Sequence, residues 1–166
     1  MSRRPIRCFE YVNAPYDRVA ELVRRDPLAL FRAATEVAST RAESVAVGLR
    51  VGVGGMEVGT EVAITIVGVH DEQPHGPSSR MTRVDLRWQA ANHAAWFPTM
   101  EAALTLYPLS ADETQVDLDG SYEPPGGILG AGADALVGHR IAEASVHRLV
   151  REVAQRLRAE LAPAEG

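Results

Sequence analysis

The stretch from about residue 128 to 161 has the apolar spacing of one long amphipathic helix. At 100° per residue, one arc is apolar and the opposite arc carries mainly arginine, histidine and glutamine. The apolar arc holds Ala135, Ala142, Val146, Leu149, Val150, Val153, Leu157 and Leu161. A helix of this length spans roughly 50 Å, enough to cross a small domain. It therefore needs a large apolar surface to lie against.

The preceding part of the chain predicts that surface as a β-sheet. Apolar residues alternate with polar ones in three successive segments, Val84–Trp88, Met100–Leu106 and Val116–Tyr122. Ser44–Val53 alternates in the same way, and Thr60–His70 is apolar on both sides. A period of two with one wet face is typical of an antiparallel sheet covered on one side. No helix-length pattern interrupts the run, which excludes parallel βαβ crossovers.

The first 34 residues predict a strand and two short helices. Ile6–Val12 is a β-prone run. Asn13 is then expected to cap a helix that has Pro15 in its first turn and that ends near Asp26. A second short helix continues to about Ala34.

Three turn signals connect the predicted strands of the sheet. Gly54-Gly55 indicates a hairpin, Asp71–Ser79 a loop, and Ser110–Glu113 a tight link. The sequence thus predicts an α+β fold, in which a curved antiparallel sheet of six to seven strands wraps around the C-terminal helix. The seventh strand, if present, would come from Thr35–Arg41. Because a straight helix cannot follow a bent sheet along its full length, we expect a cavity between them.

Length and charge restrict the possible partners of the protein. The chain has 166 residues, which suits one domain over residues 1–166 with a core at about 5–162. Its formal charge is 17 minus 22, or −5, which argues against a nucleic-acid partner. Cys8 is the single cysteine, so no intramolecular disulfide is possible. No apolar run is long enough for stable membrane insertion, and Arg3-Arg4 precedes no signal-peptide core, so a cytoplasmic location is expected.

Two segments resemble the SRPBCC superfamily, the START/Bet v 1-like helix-grip proteins. The first is Val12–Val19, which is similar to that family's passage from a strand through Ala-Pro into a helix. The second is Gly120–Gly130, followed by Asp134 and the long helix. The resemblance covers nearly the whole chain and implies a helix-grip fold with a hydrophobic cavity. The superfamily includes lipid carriers, polyketide cyclases and Rieske oxygenase domains, so the fold does not define a function.

Aromatic and apolar residues on the inner face of the sheet are candidates for contact with a ligand. Trp88, Met100, Leu104 and Tyr122 project from the face that should meet the helix. They could line a cavity or simply fill the core. Phe31 on the second short helix is a candidate for the mouth of the cavity, as are Trp96 and Phe97, with plain packing or a dimer contact as the alternative.

On the helix, the candidates are His139, Ala142 and Val146. His139 lies near the centre of the apolar stripe, where a valine or leucine would be expected. A neutral imidazole there could orient a ligand or transfer a proton, so His139 and Tyr122 are the candidate catalytic residues. The alternative is a core histidine bonded to a neighbouring backbone or side-chain group.

No metal or cofactor is predicted. His70, His75 and His93 lack the compact spacing of a zinc site, and the chain lacks the Cys/His pairs of a Rieske centre. Three functions stay open. The first is binding or carriage of a hydrophobic lipid, polyketide or isoprenoid-like molecule. The second is a polyketide cyclase or dehydratase that uses the same cavity, and the third is a packed interaction module. The sequence allows either a monomer or a homodimer.

Overall fold

A computed structural model of the chain describes residues 3–33, 37–41, 44–53, 56–90, 99–123 and 133–163. Its elements, in chain order, are β1 (Arg4–Val12), α1 (Tyr16–Arg25), α2 (Pro27–Ala33), β2 (Val37–Arg41), β3 (Ser44–Val53), β4 (Met56–Glu72), β5 (Met81–Ala90), β6 (Thr99–Pro108), β7 (Thr114–Glu123) and α3 (Ala133–Leu161). The α+β helix-grip architecture predicted from the sequence is confirmed.

The strands form one antiparallel sheet in the order β1-β7-β6-β5-β4-β3-β2. Each strand from β2 to β7 pairs with its chain neighbour, and β1 returns to pair with β7. The strand that the sequence left open at Thr35–Arg41 is β2. The hairpin between β3 and β4 is confirmed by the pairing of Val53 with Met56, while Gly54 and Gly55 lie outside the described residues.

The long helix α3 holds the two flanks of the sheet together. It packs against β1 and β7 on one flank and against β3 on the other. Since β1 and β3 stand far apart in the strand order, the sheet must curl around the helix to bring both flanks to it. The described part of α3 has 29 residues, or about 44 Å, and residues 128–132 of the predicted helix lie outside the described part of the chain.

The core lies between α3 and the inner face of the sheet, and β1, β7, β6, β5 and β4 contribute most of its described strand residues. Buried inward residues follow the period of two that the sequence showed, as in Val84, Leu86 and Trp88. Helices α1 and α2 close one side of this core through Val19, Val23 and other buried residues.

The expected cap at Asn13 is wrong. The N-cap position belongs to Pro15, whose carbonyl accepts the backbone N–H groups of Arg18 and Val19. The Ala14 N–H already donates to the Val12 carbonyl, so the chain turns before the helix begins. This turn leaves Asn13 exposed, three residues ahead of the first helical residue, and no side-chain hydrogen bond caps α1.

Strand β4 is longer than the expected Thr60–His70, with 17 residues from Met56 to Glu72. The reason is that it serves two partners, since Met56–Thr65 pairs with β3 and Val62–Glu72 pairs with β5. A register shift between Ile66 and Gly68 marks a bulge, where Val67 turns outward and is 63% exposed. The strand therefore takes up the first part of the expected Asp71–Ser79 loop.

Candidate functional site

Trp88, Met100 and Tyr122 form one cross-strand row on the inner face of the sheet. Trp88 pairs with Met100, and Met100 pairs with Tyr122. Ile64 extends the row onto β4. All four side chains are buried. Because neighbouring strands lie about 4.8 Å apart, the row from Trp88 to Tyr122 makes an apolar floor about 10 Å wide.

Leu104 lies away from that row. It is four residues further along β6, where it pairs with Val84 and Leu118. Phe31 lies on α2, where its side chain is buried with 1% of its surface exposed. The structure therefore brings together Trp88, Met100 and Tyr122 and places Leu104 elsewhere on the inner face.

Arg158 fixes the position of α3 along the direction of the strands. Its guanidinium donates to the Tyr11 carbonyl at the end of β1 and forms an ion pair with Glu10 at 3.2 Å. Ala142 lies sixteen residues earlier, or about 24 Å along the helix. The seven residues from Tyr11 back to Arg4, which pairs with Tyr122, also span about 24 Å. Along the direction of β1, these two equal lengths predict that Ala142 and the next turn, Val146, lie near the level of the Trp88–Met100–Tyr122 row.

The core is tightly packed at its other end. The side chains between α1, the C-terminal half of α3 and the strand ends have no accessible surface. They are Val12, Val19, Val23, Leu106, Val116, Val153, Ala154 and Leu157. Since a water-sized sphere cannot reach any of them, they pack directly against one another.

The histidine candidates separate into two groups. His139 lies on α3 less than one turn before Ala142, and its side chain is outside the described part of the structure. His93, Trp96 and Phe97 lie outside the described residues altogether. His70 and His75 are exposed. Among the residues that the structure describes, no three His, Cys, Asp or Glu side chains come close enough to hold a metal ion.

A chain of polar groups, buried at Tyr16 and Thr82 and exposed at Asp71 and Arg24, joins α1 to the sheet, and the sequence analysis missed it. The Thr82 hydroxyl donates to the Asp71 carboxylate at 2.7 Å and lies 2.8 Å from the Tyr16 hydroxyl. Because the only Thr82 hydroxyl proton goes to Asp71, Tyr16 must be the donor to Thr82. Arg24 completes the chain with an ion pair to Asp71 at 3.0 Å. The sequence does contain one signal for this chain: Thr82 is the polar residue among the inward positions of β5, where Val84, Leu86 and Trp88 are apolar.

This polar chain borders an open cleft of about 420 Å³ between α1 and the β4–β5 connection. On its rim, Arg80 pairs with Asp17 at 2.7 Å and lies over the Tyr16 ring. The hydrogen bond from Thr82 lowers the pKa of Asp71 below its ordinary value, with a further contribution from Arg24. The arginine and carboxylate groups thus neutralise each other, and they attach α1 to the sheet.

Two further properties concern the helices and the single cysteine. No helix in the described part of the chain combines the length and apolar character needed to cross a membrane. The Cys8 thiol is buried in the core, and burial raises its pKa to about 12. A thiol with so little thiolate at neutral pH is a poor nucleophile.

No protein-family model and no curated protein sequence matches the chain. Solved structures do match it over nearly its full length. Protein TTHA0849 from Thermus thermophilus superposes with a TM-score of 0.57 at 15% identity, over 96% of this chain and 100% of that one. Protein Ms6760 from Mycobacterium smegmatis gives 0.56 at 14% identity, over 100% and 99%.

The Zhui aromatase/cyclase from Streptomyces sp. R1128 also superposes, with a TM-score of 0.52 at 20% identity over 99% of each chain. The chain has an SRPBCC-like fold. This helix-grip assignment agrees with the resemblance seen in the sequence. At such identities the likeness establishes the fold and leaves the activity to be argued from the residues of the site.

Proposed function

We propose that this helix-grip protein binds a hydrophobic small molecule between the sheet and the first half of α3. The ligand would lie against the Trp88–Met100–Tyr122 row, with Ala142 opposite. Trp88 and Tyr122 offer flat apolar surface, and the flexible Met100 side chain between them suits an irregular ligand.

The observation that carries this proposal is the aromatic and apolar make-up of the Trp88–Met100–Tyr122 row on the inner face of the sheet. Burial is nearly equal at the two ends of the core, with 0% exposure near α1 and 1–3% in the row, so the proposal rests on which side chains the row contains. The inward polar groups Glu10, Thr82 and Thr114 lie near α1 and bind protein partners. A ligand against the row would meet apolar side chains and the Tyr122 hydroxyl, which favours a largely apolar lipid-, polyketide- or isoprenoid-like molecule.

Two matched substitutions on α3 test where the space is. Ala142→Phe adds a ring at the proposed ligand site, and Ala154→Phe adds the same ring twelve residues later, in the packed end. We expect Ala154→Phe to cost about 1–3 kcal/mol of unfolding free energy by overpacking, and Ala142→Phe to cost much less. Ala142→Phe should also weaken binding of the neutral fluorescent probe N-phenyl-1-naphthylamine at least about tenfold.

Equal destabilisation by the two substitutions, together with no probe binding by the wild type, would support the packed interaction module instead. Native mass spectrometry of the full chain purified from its host gives a second readout. A reproducible bound mass that Ala142→Phe loses supports the binding proposal and gives the size of the ligand.

A polyketide cyclase or dehydratase is the second candidate, and it uses the same site. It is favoured by the position of the Tyr122 phenol in the proposed floor and by His139 within a turn of Ala142. Proton transfer requires such a titratable group beside the reacting atoms. Tyr122→Phe and His139→Ala would then abolish turnover of a polyketide-like substrate while the affinity for the probe stays within about threefold. Loss of folding in both variants would leave the carrier function as the better account.

A further inference from the structure

We propose that a recess in the inner face of the sheet, formed by Ala102 and Gly120, receives a fused-ring group of the ligand. The Ala102–Gly120 recess would thereby make the site selective for ring-bearing molecules. This inference rests on the proposed function and adds to it the chemical class of the ligand. Its basis is the size of the side chains that the strand register places next to one another.

The first step is the position of Ala102 and Gly120 in the sheet. They pair with each other across β6 and β7, and they lie on the inner face one step beyond the Trp88–Met100–Tyr122 row. Together they present a single methyl group. The next inward pair along the same strands, Leu104 and Leu118, presents two isobutyl groups. The inner face is therefore lower at this pair than on either side of it.

The second step is that the backbone itself keeps this position low. A Cβ added at Gly120 would lie 2.6 Å from the Ala102 Cβ and 2.6 Å from the Glu101 carbonyl oxygen. The Ala102 methyl group therefore already covers the Gly120 backbone, and a side chain at residue 120 would meet main-chain atoms. The recess is thus a fixed feature of the sheet, because no rotamer change at this pair can fill it.

The third step is the part of α3 that lies above the recess. Ile6, the neighbour of the recess on β1, lies five residues before Tyr11, or about 17 Å. Val146 lies twelve residues before Arg158, or about 18 Å along the helix. Because the Arg158 guanidinium binds the Tyr11 carbonyl, these similar lengths predict Val146 at the level of the recess, with Ala142 one turn before it. Short side chains on both the helix and the sheet favour a ligand between them.

The fourth step is the width of the recess. Its rim runs from Leu86 on β5 to Ile6 on β1, three strand spacings or about 14 Å between Cα atoms. Along β6 it runs from Met100 to Leu104, four residues or about 13 Å. Since non-bonded carbon atoms stay about 3.5–4.0 Å apart, the atoms of a ligand can spread over roughly 6 Å in each direction. Two fused six-membered rings use that spread, whereas one extended alkyl chain leaves most of it empty. The recess therefore favours a ring-bearing polyketide- or isoprenoid-like ligand over a straight-chain lipid.

Two neighbouring substitutions on β6 test the recess. Ala102→Leu fills it from the inner face, and Ala103→Leu adds the same atoms on the outer face, beside an open pocket of about 580 Å³. We expect Ala102→Leu to weaken binding of N-phenyl-1-naphthylamine at least about tenfold and Ala103→Leu to leave it within about threefold. In displacement of this probe, Ala102→Leu should also weaken the fused-ring alcohol 2-decalol at least about tenfold. The straight-chain 1-decanol, which has as many carbon atoms, should change less than about threefold.

Nuclear magnetic resonance of the wild type locates the probe even if Ala102→Leu fails to fold. With isotope-labelled alanine methyl groups, the ring protons of the bound probe should show nuclear Overhauser effects to the Ala102 methyl group and none to that of Ala103. A bound probe without this contact, or equal affinity in the two variants, would overturn the inference and leave the proposed function standing. No probe binding by the wild type would overturn both.

Discussion

At the scale of single residues, Thr82 is a buried polar side chain that joins two other polar groups. It is fully buried, and its hydroxyl connects the Tyr16 phenol to the Asp71 carboxylate. A buried donor that loses its acceptor costs more free energy than the hydrogen bond contributes, because it was desolvated on folding and cannot return to water. The Thr82 hydroxyl is therefore the buried link in the polar attachment of α1 to the sheet.

Thr82→Val should lower the free energy of unfolding by about 1–3 kcal/mol, since the Tyr16 hydroxyl is left without its acceptor. Urea denaturation followed by circular dichroism measures this effect. The same change at the exposed Thr99 should stay within about 0.5 kcal/mol. Equal effects at both positions would contradict the assigned role of Thr82.

Asp71 gives a pH dependence with a defined sign. Its pKa is lowered in the folded state by the Thr82 hydrogen bond and by Arg24, so its stabilising effect is present above the ordinary carboxyl pKa. The effect is lost as the pH falls through the lowered value. Since the Asp71 side chain is 57% exposed, solvent screening limits the contribution to less than about 1 kcal/mol.

Wild type should therefore melt above Asp71→Asn at pH 7, and the gap should narrow toward pH 3. A pair of thermal melts at the two pH values measures it. A gap that widens on acidification would contradict the sign derived from the lowered pKa.

At the scale of elements, the close approach of β6 and β7 depends on a glycine. Gly120 pairs with Ala102, and a Cβ added at Gly120 would lie 2.6 Å from the Ala102 Cβ and 2.6 Å from the Glu101 carbonyl oxygen. The second of these atoms is backbone and cannot rotate away. The two strands would have to separate there, close to the row that makes the proposed ligand floor.

Gly120→Ala should accordingly destabilise the protein by about 1–3 kcal/mol through overpacking. Ser121→Ala, at the next position of the same strand, is the control and should have little effect. Chemical denaturation of both variants decides between a steric requirement at residue 120 and a general sensitivity of β7.

At the scale of the whole molecule, the proposed ligand site and the packed core near α1 lie at different places along α3. The core near α1 holds the buried contacts of α1, β1, β6 and β7. If the proposal is correct, a ligand bound under the first half of α3 would leave those contacts in place.

Ligand binding to the folded state should therefore appear as thermal stabilisation. At a free concentration one hundred times its dissociation constant, a ligand adds about 2.7 kcal/mol, or roughly 5–10 °C for a chain of this size. Differential scanning fluorimetry with a series of neutral lipids and aromatic polyketides measures the shift. Ala142→Phe should remove it and leave the unliganded melting temperature nearly unchanged.

Sequence patterns predicted the elements because those patterns are local. The period of two in Val84–Trp88 and the helical period around Val146 and Leu157 determine which face of each element is buried, whatever the neighbours are. The fold class and the Trp88, Met100 and Tyr122 candidates follow from that. The cap at Asn13 was wrong because a turn at Ala14, visible only in the backbone hydrogen bonds, moves the helix start to Tyr16.

The tertiary structure decided what depends on groups far apart in the chain. Tyr16, Arg24, Asp71 and Thr82 meet only because α1 docks beside the β4–β5 connection, and no periodicity encodes such a meeting. The same holds for Arg158, which reaches back across 147 residues to the Tyr11 carbonyl and sets the level of α3 on the sheet. Side-chain alternation is a property of one strand or helix, whereas the register between elements depends on how all of them pack at once.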